Sequence, residues 1–423
     1  MKTNSIESVV TAGLCTSCGT CVAICPKMAV SMAETPGGLL FAQVDDAACI
    51  ACGLCVRACG GAQLAPGLLP DNIDPFKGEV LAAYCGYASD PEIRLRGQSG
   101  GVVTALLSFM LESGRIDQAL VNRMPDDGTL RPQPFWAHNK KELLSSQGSK
   151  YCPVALNTAI PRDIGKDGKK SAIVGLPCHL HSLRNVQKFN AHWGSGIECT
   201  IGLFCDRILA FSAMDYLVKK AKFSKKNVIN FRYKDKTEGE FPGDICIHTN
   251  TGKQVQLPSR ERVAIKDLFT PPRCRLCFDK MNVLSDIAVG DAWGVKEGKE
   301  GFSVLIARTA SALALLEAAQ QAGYLHLGEI APEGVFTGQG VEIRRKQWTA
   351  FTKARQDLQN QVPYFGIESK YEDNNIEDIR GFIWDQIRWQ DKFLKRKTTE
   401  RIMRKLEFNN LLRKIKNKLS FNR

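Results

Sequence analysis

Two runs of four cysteines near the amino terminus have the spacing that binds iron–sulfur cubanes. They are Cys15, Cys18, Cys21 and Cys25, followed by Cys49, Cys52, Cys55 and Cys59. In each run, the first, second and third cysteines are separated from one another by two residues, and three residues lie between the third and the fourth. Three thiolates on one tight loop can bind three corners of a 4Fe-4S cubane, and the fourth cysteine of each run completes the other cubane. The spacing therefore predicts two clusters.

Zinc sites and disulfides account for these runs less well. A structural zinc site takes its ligands in separated pairs, not as three evenly spaced cysteines plus one. Disulfide frameworks are typical of secreted chains, and MKTNSIESVV lacks the basic start and apolar core of a signal peptide. The segment is similar to a bacterial-type two-cluster ferredoxin, except that Gly60 stands where the second run normally has proline. We expect less rigidity after Cys59 but unchanged ligation.

The composition predicts a cytoplasmic globular protein of two or three domains. The chain has 423 residues, of which 44% are hydrophobic and 24% are charged. No stretch approaches 18 uninterrupted apolar residues, so we expect no membrane-spanning helix. Sixteen cysteines without an export signal indicate a reducing compartment and metal ligation.

Much of the net charge of +13 belongs to the carboxyl-terminal region. Residues 379–423 contain 14 Lys and Arg against 4 Asp and Glu. The pattern there is helical, with one apolar face formed by Phe408, Leu412, Ile415 and Leu419. Such a tail is suited to peripheral association with a membrane surface or to binding an acidic partner. Alternatively, it covers the protein's own surface. Its scattered aromatics lack a base-stacking pattern, so we expect no nucleic-acid partner.

The middle of the chain alternates strand and helix patterns, which predicts an α/β domain. Buried strands are expected at 172–174 and 197–204, each followed by a helix, and a further strand–helix unit at 303–322. Residues 39–44 read as a hairpin strand of the ferredoxin-like segment. Cys178 and Cys205 follow the first two buried strands, at the edge where open α/β sheets bind ligands.

Four further cysteines have the right number for a third cubane. Cys178 and Cys205 combine with the Cys274–Cys277 pair to give four thiolates. Each single cysteine also fits a buried apolar role, and the Cys-x-x-Cys pair fits a redox dithiol or half a zinc site. The residues alone leave these alternatives open. The remaining four have no partner spacing and are expected in the core: Cys85, Cys152, Cys199 and Cys246.

A glycine-rich segment at 97–101 leads into an apolar helical pattern that ends at Gly114. Ser99 is predicted to be the N-cap, and Gly100 and Gly101 would let an anion approach the exposed N–H groups of the helix start. A purely structural helix start is an equally good interpretation. Downstream, Lys150 follows two small residues in a polar turn, where it would neutralise a phosphate, influence a flavin or lie solvated on the surface.

Six segments in order resemble the coenzyme F420 hydrogenase/dehydrogenase beta-subunit family. They are GQSGGVVTALL at 97–107, GSKY at 148–151, VGLPC at 174–178, IGLFC at 201–205, CRLC at 274–277 and DIAVGD at 286–291. They span roughly residues 80–325, with a ferredoxin unit in front as in many members. The resemblance implies an FAD-binding α/β domain that moves electrons between iron–sulfur clusters and a two-electron partner.

The resemblance also implies roles for particular residues. By position, the FAD phosphates would be held by Ser99, Gly100, Gly101 and Thr104, and the same cofactor would be lined by Gly148, Ser149 and Lys150. A third 4Fe-4S cluster near the flavin would be held by Cys178, Cys205, Cys274 and Cys277. Asp291 matches an acidic position of the family and receives no role.

Taken together, we expect an α/β protein, α+β overall, with three regions. These are a bacterial-type ferredoxin domain at 1–64, a flavin-binding α/β domain at 76–330 and a basic helical extension at 331–423. The expected function is an oxidoreductase that passes electrons between 4Fe-4S clusters and FAD and exchanges them with coenzyme F420, ferredoxin or another redox partner. The alternative is a non-catalytic electron-transfer subunit that docks a partner enzyme, in a system linked to surface-polysaccharide biosynthesis.

Overall fold

A computed structural model describes residues 4–237 and 239–368. Within these ranges, every helix is too short or too polar to cross a lipid bilayer. The basic tail beyond residue 368, with the predicted amphipathic face of Phe408, Leu412, Ile415 and Leu419, lies outside the described residues.

The amino-terminal unit places its cysteine loops around a hairpin. Its elements are α1 (Ile6–Thr11), α2 (Thr20–Ile24), β1 (Val30–Glu34), β2 (Leu40–Val44) and α3 (Leu54–Arg57). Strands β1 and β2 pair antiparallel, which confirms the predicted hairpin strand. Gly19 and Gly53, each directly after the second cysteine of its run, begin α2 and α3 with φ of 85° and 75°. Glycine is the residue that adopts this left-handed conformation without strain.

An eight-stranded mixed sheet forms the centre of the larger body. Its strands are β3 (Ala82–Ala88), β4 (Gln118–Arg123), β5 (Gln133–Ala137), β6 (Ser171–Gly175), β7 (Ile197–Leu203), β11 (Ile287–Asp291), β12 (Ser303–Ala307) and β13 (Leu325–Glu329). The spatial order is β13-β3-β12-β11-β7-β6-β4-β5. Strands β4, β6, β7 and β11 run parallel, and the strands on either side pair antiparallel. The predicted α/β class is confirmed as a mixed α/β fold.

A second sheet and the helices complete the body. The small sheet has the order β10-β9-β8, with β8 (Val228–Asp235), β9 (Asp244–Thr249) and β10 (Gln254–Leu257). The helices are α4 (Pro91–Arg96), α5 (Val102–Glu112), α6 (Lys140–Ser145), α7 (Pro177–Phe189), α8 (Phe211–Lys220), α9 (Ser259–Phe269), α10 (Pro272–Arg275), α11 (Ala310–Gln321), α12 (Pro332–Gln339) and α13 (Val341–Asp357). Two short 3-10 helices span Leu156–Ala159 and Lys225–Asn227.

The central sheet is covered on both faces, because successive side chains of a strand point in opposite directions. On β6, Ala172 and Val174 join a core cluster with residues of α5 and α11. Ile173 joins a different cluster with residues of α7 and with Ala23, Ile24 and Ala58 of the amino-terminal unit. The ferredoxin-like unit therefore packs against the α7 face of the sheet, which brings its cysteine loops to the start of α7.

The segment between the amino-terminal unit and β3 packs against the carboxyl-terminal helices. Phe76 is buried with Trp348 of α13, their ring centroids 5.6 Å apart. Leu64 belongs to the same cluster, together with Val335 of α12 and Ala288 of β11. The boundaries at 64, 76 and 331 stay a prediction.

Candidate functional site

The first group of thiols takes three cysteines from the first run and one from the second. Burial raises the pKa of Cys21 well above its ordinary value, and the thiols of Cys18, Cys15 and Cys59 raise it further. Burial, reinforced by Cys18 and Cys15, raises the pKa of Cys59 to about 12. Repulsion between the thiolate forms of these cysteines requires sulfur atoms that lie close together. The positive charge of a bound iron–sulfur core would relieve this repulsion. We call Cys15, Cys18, Cys21 and Cys59 the first cage.

The second group has the opposite composition. Burial raises the pKa of Cys55, and Cys52 and Cys25 raise it further. The structure thus brings Cys25 of the first run to the second run, the exchange of fourth cysteines that the spacing predicts. Cys25, Cys49, Cys52 and Cys55 line one cavity, and we call them the second cage. Cys52 is exposed, which makes this cage the more open of the two.

The third group assembles from three separate elements of the larger body. Cys178 lies in the first turn of α7, Cys205 follows β7 and Cys274 lies in α10. Burial raises the pKa of Cys178 well above its ordinary value, with further contributions from Cys18, Cys205, Cys277 and Cys274. We call Cys178, Cys205, Cys274 and Cys277 the third cage.

The Cys18–Cys178 interaction links the first and third cages. Among the neighbouring thiols, Cys18 makes the largest contribution to the raised pKa of Cys178. A buried cation also lies between the cages, because the Arg273 side chain lowers the pKa values of Cys15, Cys274 and Cys277 against the stronger effect of burial. Its Nε donates to the Gly61 carbonyl over 2.9 Å. The first and third cages therefore lie close enough to interact electrostatically.

These thiols fit iron–sulfur clusters better than single ions. Within residues 4–237 and 239–368, no three His, Cys, Asp or Glu side chains are arranged to hold one metal ion. Each cage instead supplies four thiols, the ligand set of a cubane. By contrast, Cys152, Cys199 and Cys246 are buried in the core as expected, whereas Cys85 on β3 is partly exposed.

The structure explains why glycine occupies position 60, which the sequence did not reveal. A Cβ atom there would lie 2.5 Å from the Cβ of His181 and 2.7 Å from the backbone N of Ser182. The Gly60 N–H also donates to the Ser182 hydroxyl over 2.9 Å. Proline would lose this donor and collide with α7. Glycine is therefore required because α7 approaches the second cysteine run so closely.

We expect Gly60→Ala to destabilise the chain by roughly 2–3 kcal/mol, because overpacking at a backbone contact forces the two units apart. Its thermal midpoint should fall by several degrees in anaerobic melts followed by circular dichroism. Gly334→Ala is the matched control, since a Cβ at Gly334 of α12 would meet nothing within 4 Å. Equal midpoints for the two variants would contradict the close-approach explanation.

His181 is a buried hydrogen-bonded residue rather than a ligand. Its Nε2 lies 2.8 Å from the Asp279 carboxylate, and its ring stacks on Phe278 with centroids 5.5 Å apart. Asp279 also accepts the N–H of Val283. His179 likewise pairs with the Val154 carbonyl at 3.0 Å. The two pairs fix the orientation of α7 and hence of Cys178.

The glycine-rich segment before α5 is held differently from the prediction. Gly101, not Ser99, is the N-cap, with φ of 76° and no side-chain cap. The Ser99 hydroxyl instead pairs with that of Ser303 at 2.9 Å, so the predicted N-cap is wrong. A Cβ on Gly100 would lie 2.6 Å from the Gly86 carbonyl, so this glycine serves strand packing. The first N–H groups of α5 remain uncapped by a side chain, which suits an anion.

The 148–150 turn adjoins this segment, as the resemblance requires. The Ser149 N–H donates to Gln98 Oε1 over 3.3 Å. Lys150 Nζ donates to the carbonyls of Ser146, Gln147 and Gly148 near the end of α6. Burial lowers the pKa of Lys150 to about 7. Thr104 is partly exposed in the first turn of α5.

Two lysines at the end of β8 lie beside these segments, Lys236 at Ser99 and Lys234 at Tyr151. The sequence alone did not single them out. Lys236 Nζ donates to the carbonyls of Ser99 and Glu300, and burial lowers the pKa of Lys236 to about 8. Lys234 Nζ lies 2.9 Å from the Asp291 carboxylate, with side chains 4% and 16% exposed. The available sequence signal was the occurrence of lysine at two alternate positions at the end of β8. This pattern does not indicate which part of the protein the strand packs against.

Aromatic rings surround the Lys234 ammonium. It lies 5.5, 6.0 and 5.9 Å from the ring centroids of Tyr151, Phe241 and Trp293. Burial lowers the pKa of Lys234, but Tyr151 and Asp291 more than compensate, and the net pKa is raised. Trp293 is 43% exposed and offers an aromatic surface beside the lysines. The lysine cations and the uncapped N–H groups suit the phosphates of a flavin dinucleotide, and the exposed aromatic surface suits its ring system.

Family models match most of the described chain. Residues 83–161 match the model of the coenzyme F420 hydrogenase/dehydrogenase beta subunit N-terminus, and residues 168–333 match that of its C-terminus. Residues 14–63 match a 4Fe-4S dicluster domain. Together the matches include all three cages and the segments around α5 and β8.

Individual relatives come from Methanocaldococcus jannaschii and Methanosarcina barkeri. The coenzyme F420-dependent sulfite reductase of Methanocaldococcus jannaschii is 27% identical over 319 residues, 72% of this chain and 46% of that protein. The chain thus spans about half of that relative. The coenzyme F420 hydrogenase subunit beta of Methanosarcina barkeri is 24% identical over 56% of this chain and 77% of that subunit. A chain of the F420-reducing [NiFe] hydrogenase complex from Methanosarcina barkeri has a similar fold, with a TM-score of 0.55 and 21% identity, covering 71% of this chain and 99% of that one.

Proposed function

Because the chain belongs to the coenzyme F420 hydrogenase/dehydrogenase beta-subunit family, we propose that it is an iron–sulfur flavoprotein oxidoreductase. In this proposal it passes electrons between three 4Fe-4S clusters and FAD, and exchanges an electron pair with coenzyme F420. The clusters carry single electrons, and FAD converts between these and the two-electron chemistry of a hydride. The observation that carries the proposal is the convergence of twelve cysteines into three cages, two of which adjoin through Cys18 and Cys178.

The chain's own residues would hold and tune these groups. The cages would supply all twelve thiolates, and the Arg273 cation would offset the negative charge that gathers between the first and third cages. The uncapped start of α5, with Thr104 and the 148–150 turn, would hold the FAD phosphates. Lys236 would fix the Ser99 backbone beneath them through its hydrogen bond to the Ser99 carbonyl.

Coenzyme F420 is proposed as the two-electron partner because the sulfite reductase and hydrogenase relatives are named for it. The exposed Trp293 and the Lys234–Asp291 pair would form the surface on which its deazaflavin ring stacks. None of the sixteen cysteines, all of which lie within the described residues, forms a disulfide, in keeping with a cytoplasmic location.

Anaerobic purification followed by iron, sulfide and flavin analysis tests the proposal. We expect about twelve irons and one FAD per chain, from three cubanes and one flavin. Reduction of the bound FAD is then assayed against coenzyme F420, reduced ferredoxin and NAD(P)H. A chain that binds no flavin under these conditions would defeat the reductase proposal.

A second candidate is an electron-transfer subunit with no substrate of its own. It is favoured by the relatives that are named as beta subunits and by the exposure of Cys52 in the second cage, where a partner enzyme would exchange electrons. Full cofactor content without turnover by the isolated chain, regained on addition of a partner subunit, would support this candidate over the first.

Lys150 gives the proposal a pH dependence. Burial holds its pKa at about 7, so the amine is neutral above that pH in the free chain. A nearby FAD phosphate would favour the ammonium and raise this pKa, so binding above pH 7 takes up a proton. We therefore expect FAD affinity to be constant below pH 7 and to fall as pH rises from 7 to 9, measured by quenching of flavin fluorescence.

Lys150→Met provides the control for this pH profile. The variant should bind FAD more weakly at pH 6.5 and lose the decline between pH 7 and 9. A decline of the same steepness in Lys150→Met would show that another group is responsible.

A further inference from the structure

We propose that Ser182 sets the reduction potential of the first cluster by hydrogen-bonding to the sulfur of Cys18. The inference rests on the proposed function, because it takes Cys18 as a cluster ligand. Ser182 Oγ lies 3.3 Å from Cys18 Sγ. The residues are 0% and 6% exposed, so water does not compete for this contact.

The neighbouring donors decide the direction of the hydrogen bond. The Gly60 N–H donates to the Ser182 oxygen over 2.9 Å, which leaves the hydroxyl proton available to the Cys18 sulfur. A thiolate has no proton to give, so the hydroxyl must be the donor once Cys18 binds iron. A second hydroxyl, that of Thr20, lies near the same sulfur and accepts from Cys18 Sγ. Its Oγ1 accepts from Asn157 Nδ2 over 2.7 Å and lies 3.6 Å from the same sulfur.

A hydrogen bond donated to a cluster sulfur favours the reduced state, because the added electron increases the negative charge on the sulfur. Reduction adds one electron to the first cluster and moves no proton from Ser182. Ser182 lies one turn after Cys178 on α7, so the helix that supplies a thiol to the third cage also tunes the first. In the second cage, the sulfurs of Cys25 and Cys49 accept backbone N–H donors from Ala29 and Ala51.

Ser182 is therefore a positioning residue that makes the first cluster easier to reduce than its loop alone would. The fully buried hydroxyl comes from the larger body and reaches the first cage only when the amino-terminal unit packs against α7. The hydroxyl would thereby raise the reduction potential of the cluster that adjoins the third cage.

Anaerobic redox titration followed by electron paramagnetic resonance tests this role. In Ser182→Ala we expect one reduction step to shift to more negative potential, with the reduction equilibrium constant lowered about tenfold, or about 59 mV for one electron. The iron content and the other steps should be unchanged. Ser182→Thr keeps a hydroxyl and should stay within about threefold of the unmodified chain. Ser108→Ala is the matched control, since that buried hydroxyl donates to the Thr104 carbonyl within α5.

Each outcome decides the matter. An unshifted titration of an iron-replete Ser182→Ala chain would overturn the proposal and leave the proposed function intact, whereas an unmodified chain without iron would defeat both. If Ser182→Ala loses iron, the near-isosteric pair Ser182→Thr and Ser182→Val replaces it, and only a more negative step in the valine variant supports the role. Loss of the first cluster from Ser182→Ala and Ser182→Val alike would mean that Ser182 serves only assembly.

Discussion

Cys178→Ser is expected to remove about one third of the iron, because a cage with three thiolates no longer completes its cubane. Cys178 lies at the start of α7 within electrostatic reach of Cys18 and of the other third-cage thiols. Its loss should leave the clusters of the first and second cages in place. FAD reduction by ferredoxin should then fall about 100-fold, since electrons would have to cross the gap left by the third cluster.

The control for Cys178→Ser is Cys199→Ser, which replaces a buried thiol that lies outside the three cages. Cys199 lies on β7, where burial raises its pKa, and it belongs to the core rather than to a cage. It should keep full iron and flavin reduction. Iron analysis and stopped-flow reduction of FAD measure both variants. Unchanged iron in Cys178→Ser, or equal iron loss in both, would remove the basis for the third cluster.

Lys236→Met is expected to weaken FAD binding roughly 100-fold, or about 2.7 kcal/mol, the size of a charge-assisted hydrogen bond. The Lys236 ammonium donates to the Ser99 carbonyl and is buried beside the start of α5. Without it, the Ser99–Gly101 backbone loses its support, and the FAD phosphates lose a nearby cation. Titration of the flavin-free chain with FAD, followed by fluorescence, gives the dissociation constant.

Lys225→Met removes the same charge at a partly exposed ion pair with Asp215 and serves as the control. It should bind FAD as the unmodified chain does. The iron content of both variants should remain full, because neither lysine contacts a cage. If Lys236→Met bound FAD normally, the flavin would have to lie away from the Ser99 segment.

Local features of the fold were predictable from the sequence because short-range patterns specify them. The strand at 39–44, the strands around residues 173 and 200 and the helix after Gly101 all occur where periodicity predicts them. The N-cap was predicted wrongly, because Ser303, 204 residues away, takes the Ser99 hydroxyl. A long-range partner thus overrode a local capping preference.

The cysteine spacing by itself determined the chemistry of the amino-terminal unit, since the first three cysteines of each run follow one another at intervals of two residues. The tertiary structure alone decided that Cys178, Cys205 and the Cys274–Cys277 pair meet, and that Cys18 lies beside Cys178. It also brought Lys236 to the Ser99 carbonyl just before α5, and Lys234 of the small sheet to Asp291 at the end of β11. These distances depend on how sheets and helices pack, and contacts between residues far apart in sequence leave no periodic signal along the chain.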